Sequence, residues 1–184
     1  RGANWIPPDA MSNVVTDSVY EACFKTMHQL HFNMIRVWGG GIYESNRFYD
    51  LADRYGIMVW QDFMFSGTMY SHDTAFIGNI THEAEYQVKR LHNHPSLALW
   101  CGNNEIMMFR GKEQWTNEKM SEADYYRLFR DTLGEVVKAH APQSDYVTEI
   151  DTSEAIEAGI NGMLASLDPH SSYLNPDDFK DMQT

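Results

Sequence analysis

An α/β fold with a parallel sheet is what this sequence predicts, on three observations. Short apolar runs rich in branched residues recur along the chain, segments of helical period lie between them, and the two kinds alternate strictly. The runs at 34–38, 57–60 and 97–100 carry Ile35, Val37, Ile57, Val59, Leu97 and Leu99, with no regular polar alternation. Such runs are expected of strands covered on both faces. Residues 2–6 read as the end of a first strand. Between the runs, Val19, Ala22, Cys23, Met27 and Leu30 form one apolar stripe, with Ser18 and Glu21 spaced as a capping box. Phe48, Leu51, Ala52 and Tyr55 form a second stripe, entered at Ser45 and closed by Gly56. Ile77, Ile80, Ala84, Val88 and Leu91 form a third, stopped before Pro95. After Ser121 comes a fourth, with Tyr125, Leu128, Phe129, Leu133 and Val136. Repeated strand–helix units connect with right-handed crossovers. A doubly wound sheet and an α/β barrel both satisfy that order.

The residues at the end of each run bear on function. Trp38 leads into Gly39-Gly40-Gly41, Trp60 into Gln61-Asp62, and Trp100 into Cys101-Gly102-Asn103-Asn104-Glu105. Ligands of parallel α/β folds sit at the carboxyl ends of strands. Aromatic platforms beside carboxylates and amides suit a sugar, which has apolar ring faces and hydroxyl edges. The alternative is that the tryptophans belong to the core, and Trp60 and Trp100 are expected there. The glycine triplet has neither the spacing of a dinucleotide site nor the lysine of a phosphate loop. It reads as backbone turning tightly beneath a ligand or a neighbouring strand.

Composition excludes some classes. Hydrophobic residues make up 43% and charged residues 22% of the 184, an ordinary globular balance. A net charge of -12 opposes nucleic acid as a partner and suits an anionic membrane surface equally poorly. No apolar run approaches the roughly 20 residues of a membrane-spanning helix. Cys23 and Cys101 are expected to be free, buried thiols, and two cysteines leave the redox compartment open. His92 and His94 precede Pro95 without further ligands nearby, so no metal and no other cofactor is expected. The start on Arg1-Gly2-Ala3, without Met or a targeting pattern and directly in a strand, is expected of a chain cut from a longer one.

The residues Arg36-Val37-Trp38-Gly39-Gly40-Gly41-Ile42-Tyr43-Glu44 resemble a β-mannosidase of glycoside hydrolase family 2. So do Gly2-Ala3-Asn4-Trp5-Ile6-Pro7 and Val59-Trp60-Gln61-Asp62-Phe63-Met64-Phe65. Asn93-His94-Pro95-Ser96 and Trp100-Cys101-Gly102-Asn103-Asn104-Glu105 complete the series. The resemblance covers about residues 1–142, and several motifs in one order make it specific. It implies the first half of a TIM (β/α)8 barrel, about four β/α units, from an enzyme that hydrolyses terminal β-D-mannosides with retention. Retention needs two carboxylates about 5–5.5 Å apart. By resemblance Glu105 is the acid/base, Asn104 bonds the sugar 2-hydroxyl, Trp38 is an aromatic wall, and Arg36 supports the carboxylate site. Gln61 and Asp62 lie at the same rim, Asp62 among the substrate-binding residues, and Trp115 is a further wall. The partner implied is a β-mannoside or manno-oligosaccharide. A bacterial periplasmic or secreted location fits, although the compartment stays open.

The family's nucleophile lies on a later strand, and nothing after Val147 resembles that region. Residues 143–184 read instead as an unrelated helical tail: a helix bearing Ile156, Ile160, Met163, Leu164 and Leu167, then a loop after Asp168-Pro169. From about residue 145 the tail resembles the segment before the PDZ domain of bacterial C-terminal processing peptidases, most specifically at Leu167-Asp168-Pro169-His170-Ser171-Ser172-Tyr173. The expected function is that of a β-mannosidase fragment inactive by itself. The alternatives are a non-catalytic carbohydrate-binding half-barrel, a hybrid reading frame with no function of its own, and a serine peptidase-related segment. Open barrel edges would favour self-association.

Overall fold

In the computed structural model, which describes residues 1–110 and 119–148, strands β1 (Gly2–Trp5), β2 (Met34–Val37), β3 (Met58–Asp62), β4 (Leu97–Cys101) and β5 (Asp145–Val147) form one sheet. The strands lie in sequence order and every neighbouring pair is parallel. Arg1–Glu149 forms one unit; Ile150–Thr184 is a second and lies outside the described residues. The strand β5 departs from the sequence-based expectation. Asp145-Tyr146-Val147 was expected to open the tail, yet Leu99, Trp100 and Cys101 pair with them as the next strand of the sheet. A three-residue strand flanked by polar residues carries too little apolar pattern to be found locally.

Helices α1 (Asp17–Gln29), α2 (Asn46–Tyr55) and α3 (Thr74–Leu91) occupy the expected crossovers. After the short α4 (Ile106–Phe109), α5 (Glu122–Tyr125) runs through a π-helical stretch at Tyr126–Thr132 into α6 (Leu133–His140). Leu133 donates its N–H to the Leu128 carbonyl, and the Thr132 hydroxyl donates to the Arg127 carbonyl at 2.8 Å. This widened turn brings Leu128, Phe129, Leu133, Val136 and Val137 into the core together. Gly56 ends α2 in the left-handed region at φ 65°, and Ile57 donates back to the Ala52 carbonyl at 3.0 Å, a Schellman closure.

Three further expectations are corrected. In α1 the inward stripe is Tyr20, Phe24 and Met27, while Val19 and Leu30 are exposed. Its cap residue is Thr16, without a side-chain cap bond, so there is no Ser18–Glu21 capping box. The aromatic pair presents more apolar area than the aliphatic residues beside it, and the helix is turned accordingly. Among the described residues, moreover, the strands are not covered on both faces. Ile35, Val37 and Val59 are buried on the face that the helices cover, whereas Arg36, Trp60 and Leu99, aligned across β2, β3 and β4, are only half-buried. Met58, on β3, is 44% exposed.

Candidate functional site

The carboxyl ends of β2, β3 and β4 bring together several polar residues of the sequence motifs. Arg36 on β2 is in register with Trp60 on β3, which puts Asp62, two residues on, above the guanidinium on the same face. Arg36 grips Asp62 through both oxygens, Nε to Oδ1 at 3.2 Å and Nη2 to Oδ2 at 2.7 Å. Asp62 also accepts from the Gly39 N–H at 2.9 Å and from the Trp60 indole N–H at 2.8 Å. The guanidinium lies over the Trp60 ring, 4.8 Å from its centre. Asp62 is fully buried. Desolvation pushes its carboxyl above the ordinary carboxylate value, against the pull of Arg36 and the N–H donors.

Arg36 makes one bond more: Nη2 donates to Asn104 Oδ1 at 2.9 Å. A guanidinium only donates, so the amide oxygen of Asn104 must face Arg36 and its nitrogen must face away. That nitrogen donates to the Ser66 hydroxyl at 3.2 Å. Behind it the backbone is fixed too, with the Asn104 N–H on the Phe65 carbonyl at 2.9 Å and a parallel bridge from Ser66 to Asn104. Asn103 anchors the turn from its buried side: Nδ2 donates to the Tyr125 hydroxyl and the Thr148 carbonyl, both at 3.1 Å, and Oδ1 caps α4 through the Ile106 N–H at 3.1 Å. Between these anchors Glu105 takes φ 61°, ψ 17°, a left-handed conformation that costs an L residue about 1–2 kcal/mol. Its carboxylate is partly exposed and makes no hydrogen bond among the described residues.

Trp38 is half-buried at the start of the glycine turn. A Cβ on Gly40 would collide with ring carbons of Trp38, so the indole lies against the loop only because glycine stands there. The residues behind the rim behave differently. Gln61, expected at the same rim as Asp62, is instead fully buried and points to the helix side, because neighbouring residues of a strand face opposite ways; it accepts from Tyr49 at 2.6 Å. Trp100 is wholly core, stacked on Phe63 with centroids 4.8 Å apart. Trp115 lies outside the described residues. Both cysteines are free, but only Cys101 is buried as expected, its thiol pushed up to about 12 by burial; Cys23 is half-buried. Among the described residues no group of three acidic, histidine or cysteine side chains could hold a metal, and no helix is long and apolar enough to cross a membrane.

Sequence reasoning brought Arg36, Asp62 and Asn104 to one rim but missed two of their supports, Ser66 and Asn103, and a buried carboxylate elsewhere, Glu44. Ser66 and Asn103 act through turn geometry, and no local pattern announces that. Glu44 is a buried carboxylate receiving the Trp5 indole N–H at 2.7 Å and the Tyr20 hydroxyl. It stands at the end of a recognised motif, where its burial is not visible from sequence.

No family model matches the chain. Among curated proteins, β-mannosidase of Rattus norvegicus is 34% identical over 186 residues, 98% of this chain and 21% of that protein. β-Mannosidase of Mus musculus is 47% identical over 105 residues, 57% of this chain and 12% of that protein. Identity is thus higher over the shorter span, while the longer alignment runs on into the tail. Among solved structures, the β-D-mannosidase of Dictyoglomus thermophilum superposes with a TM-score of 0.72 at 39% identity, covering 81% of this chain and 18% of that one. In sequence and fold the chain is a β-mannosidase-like segment, and its matches cover between 12% and 21% of the length of these relatives.

Proposed function

We propose that this segment is the acid/base-bearing part of a retaining β-mannosidase, the first half of its TIM barrel, acting on terminal β-D-mannosides. One observation carries the reading. Glu105 is held in a strained left-handed turn at the end of β4, immediately after an asparagine locked into the Arg36–Asp62 network. Likeness to β-mannosidases over the same residues supports it. In this reaction Glu105 delivers its proton to the glycosidic oxygen as the C1–O bond breaks. A second carboxylate, which the resemblance puts on a later strand, bonds to C1. Glu105, now ionised, then takes a proton from the water that displaces that carboxylate. Asn104 bonds the sugar 2-hydroxyl, and Trp38 packs on a ring face. Asp62, with both oxygens engaged, acts through Arg36. In the tail, β5 pairs with β4 as the next barrel strand would, so we put the junction to the peptidase-like segment after Val147 rather than near residue 143. A contiguous read of the source DNA across that point tests the junction.

The test of the reaction replaces the matching segment of the Dictyoglomus thermophilum enzyme with residues 1–148. Glu105→Ala in this chimera is expected to lower turnover of mannosides with poor leaving groups by about 10²–10⁴-fold. Activated aryl mannosides, whose departure needs little protonation, should suffer far less in the first step. Azide should restore part of their turnover and give a β-configured mannosyl azide. Equal losses on both substrates without azide rescue would remove Glu105 from the acid/base role.

A further inference from the structure

Ser66, on the loop after β3, lies beside the site without belonging to any motif recognised in the sequence. Its place is fixed with unusual completeness for a loop residue. The Ser66 N–H donates to the Tyr70 hydroxyl at 2.9 Å, and the same hydroxyl donates to the Ser66 carbonyl at 3.2 Å. Tyr70 in turn packs edge-on against Phe65, with centroids 4.9 Å apart. The backbone bridge to Asn104 and the Asn104 N–H on the Phe65 carbonyl close the loop onto the end of β4. The loop therefore holds the Ser66 hydroxyl where the Asn104 side chain uses it as an acceptor.

From this we infer that Ser66 is a positioning residue for Asn104: it sets the plane of the carboxamide and so the direction of the N–H that Asn104 offers a sugar hydroxyl. The inference rests on the proposed carbohydrate function. Arg36 alone fixes one end of the amide, leaving rotation about the side-chain torsions. Two opposed partners, Arg36 on Oδ1 at 2.9 Å and Ser66 on Nδ2 at 3.2 Å, define its plane. One Nδ2 hydrogen is taken by Ser66. The other lies in the same plane and is taken by no described residue. Because Ser66 accepts from Asn104, its own proton stays available to donate onward. A ligand oxygen next to Asn104 would meet two donors in fixed relation.

The experiment uses the whole 184-residue chain. Without sugar, the side-chain amide signals of Asn104 are followed by NMR in the parent chain, Ser66→Ala and Ser66→Thr. Ser66→Ala should move the Nδ2 proton facing residue 66 upfield and speed its exchange with water, and Ser66→Thr should restore both. With methyl β-D-mannoside as the probe, Ser66→Ala should weaken binding about 2–10-fold, the effect of one hydrogen bond, and threonine should recover it. Circular dichroism of each variant reports folding independently. Unchanged amide signals in a folded Ser66→Ala chain, or a threonine variant that fails to restore them, would overturn the assignment. A parent chain that binds no mannoside counts against the carbohydrate reading, while the sugar-free amide signals still decide the role of Ser66.

Discussion

Asp62 has no exposed surface, yet it collects four hydrogen bonds, two of them from Arg36. Desolvation outweighs these donors and raises its carboxyl above the ordinary value of 3.8. The folded chain therefore keeps this proton to higher pH than the unfolded chain does. Its contribution to stability is full below 3.8 and is lost as pH rises through the raised folded value. Asp62→Asn removes that dependence. Within this window the slope of unfolding free energy against pH should become more positive in the variant, by at most about 1.4 kcal/mol per pH unit. Denaturant melts at closely spaced pH values measure the slope, and coincident slopes would show that Asp62 does not titrate there. The sequence did put Arg36, Asp62, Asn104 and Glu105 at one rim, because parallel strands align their carboxyl ends. It did not disclose that Asp62 has no oxygen left for a sugar, since that depends on Gly39 and Trp60 both turning towards it.

Among the elements, α2 shows best how local signals carry through. Ser45 precedes it, Phe48, Leu51 and Ala52 are buried as their spacing requires, and Gly56 closes it in the left-handed region. A Cβ at Gly56 would meet nothing within 4 Å, so a substitution there costs only backbone strain. Gly56→Ala should destabilise the chain by about 1 kcal/mol, read as a lower denaturation midpoint with an unchanged slope. An unchanged midpoint would mean that the closure of α2 contributes nothing to stability. The first helix was harder to orient. Its aliphatic residues suggested a stripe through Val19 and Leu30, but Tyr20 and Phe24 join Trp5 and Phe48 in an aromatic cluster. Which side of α1 turns inward depends on partners from β1 and α2, distant in sequence.

At the scale of the whole described unit, the sheet is covered by helices on one face and half-open on the other, with β1 and β5 as its edges. Met58, Trp60 and Leu99 leave apolar surface on that open face, and Arg36 lies among them. Unpaired strand edges and exposed apolar surface both promote association. The net charge of -12 opposes it by repulsion between copies, and salt screens that repulsion. Light scattering on the 184-residue chain should therefore show concentration-dependent association that grows with ionic strength. Met58→Lys, which puts a charge on the open face, should reduce it. A monodisperse monomer at high salt would contradict this account.

The sequence by itself determined the alternation of strands and helices, the parallel sheet and the strand-end positions of Trp38, Asp62, Asn104 and Glu105. These come from hydrophobic period and chain order, which are local properties. Tertiary structure alone decided that β5 joins the sheet, that α1 turns its aromatic side inward, that Ser66 and Asn103 hold the turn at the site, and that Glu44 is buried between Trp5 and Tyr20. Each of those outcomes depends on hydrogen bonds or packing between residues far apart in the chain. The free energy of such contacts is set by burial and geometry, neither of which exists until the strands have met.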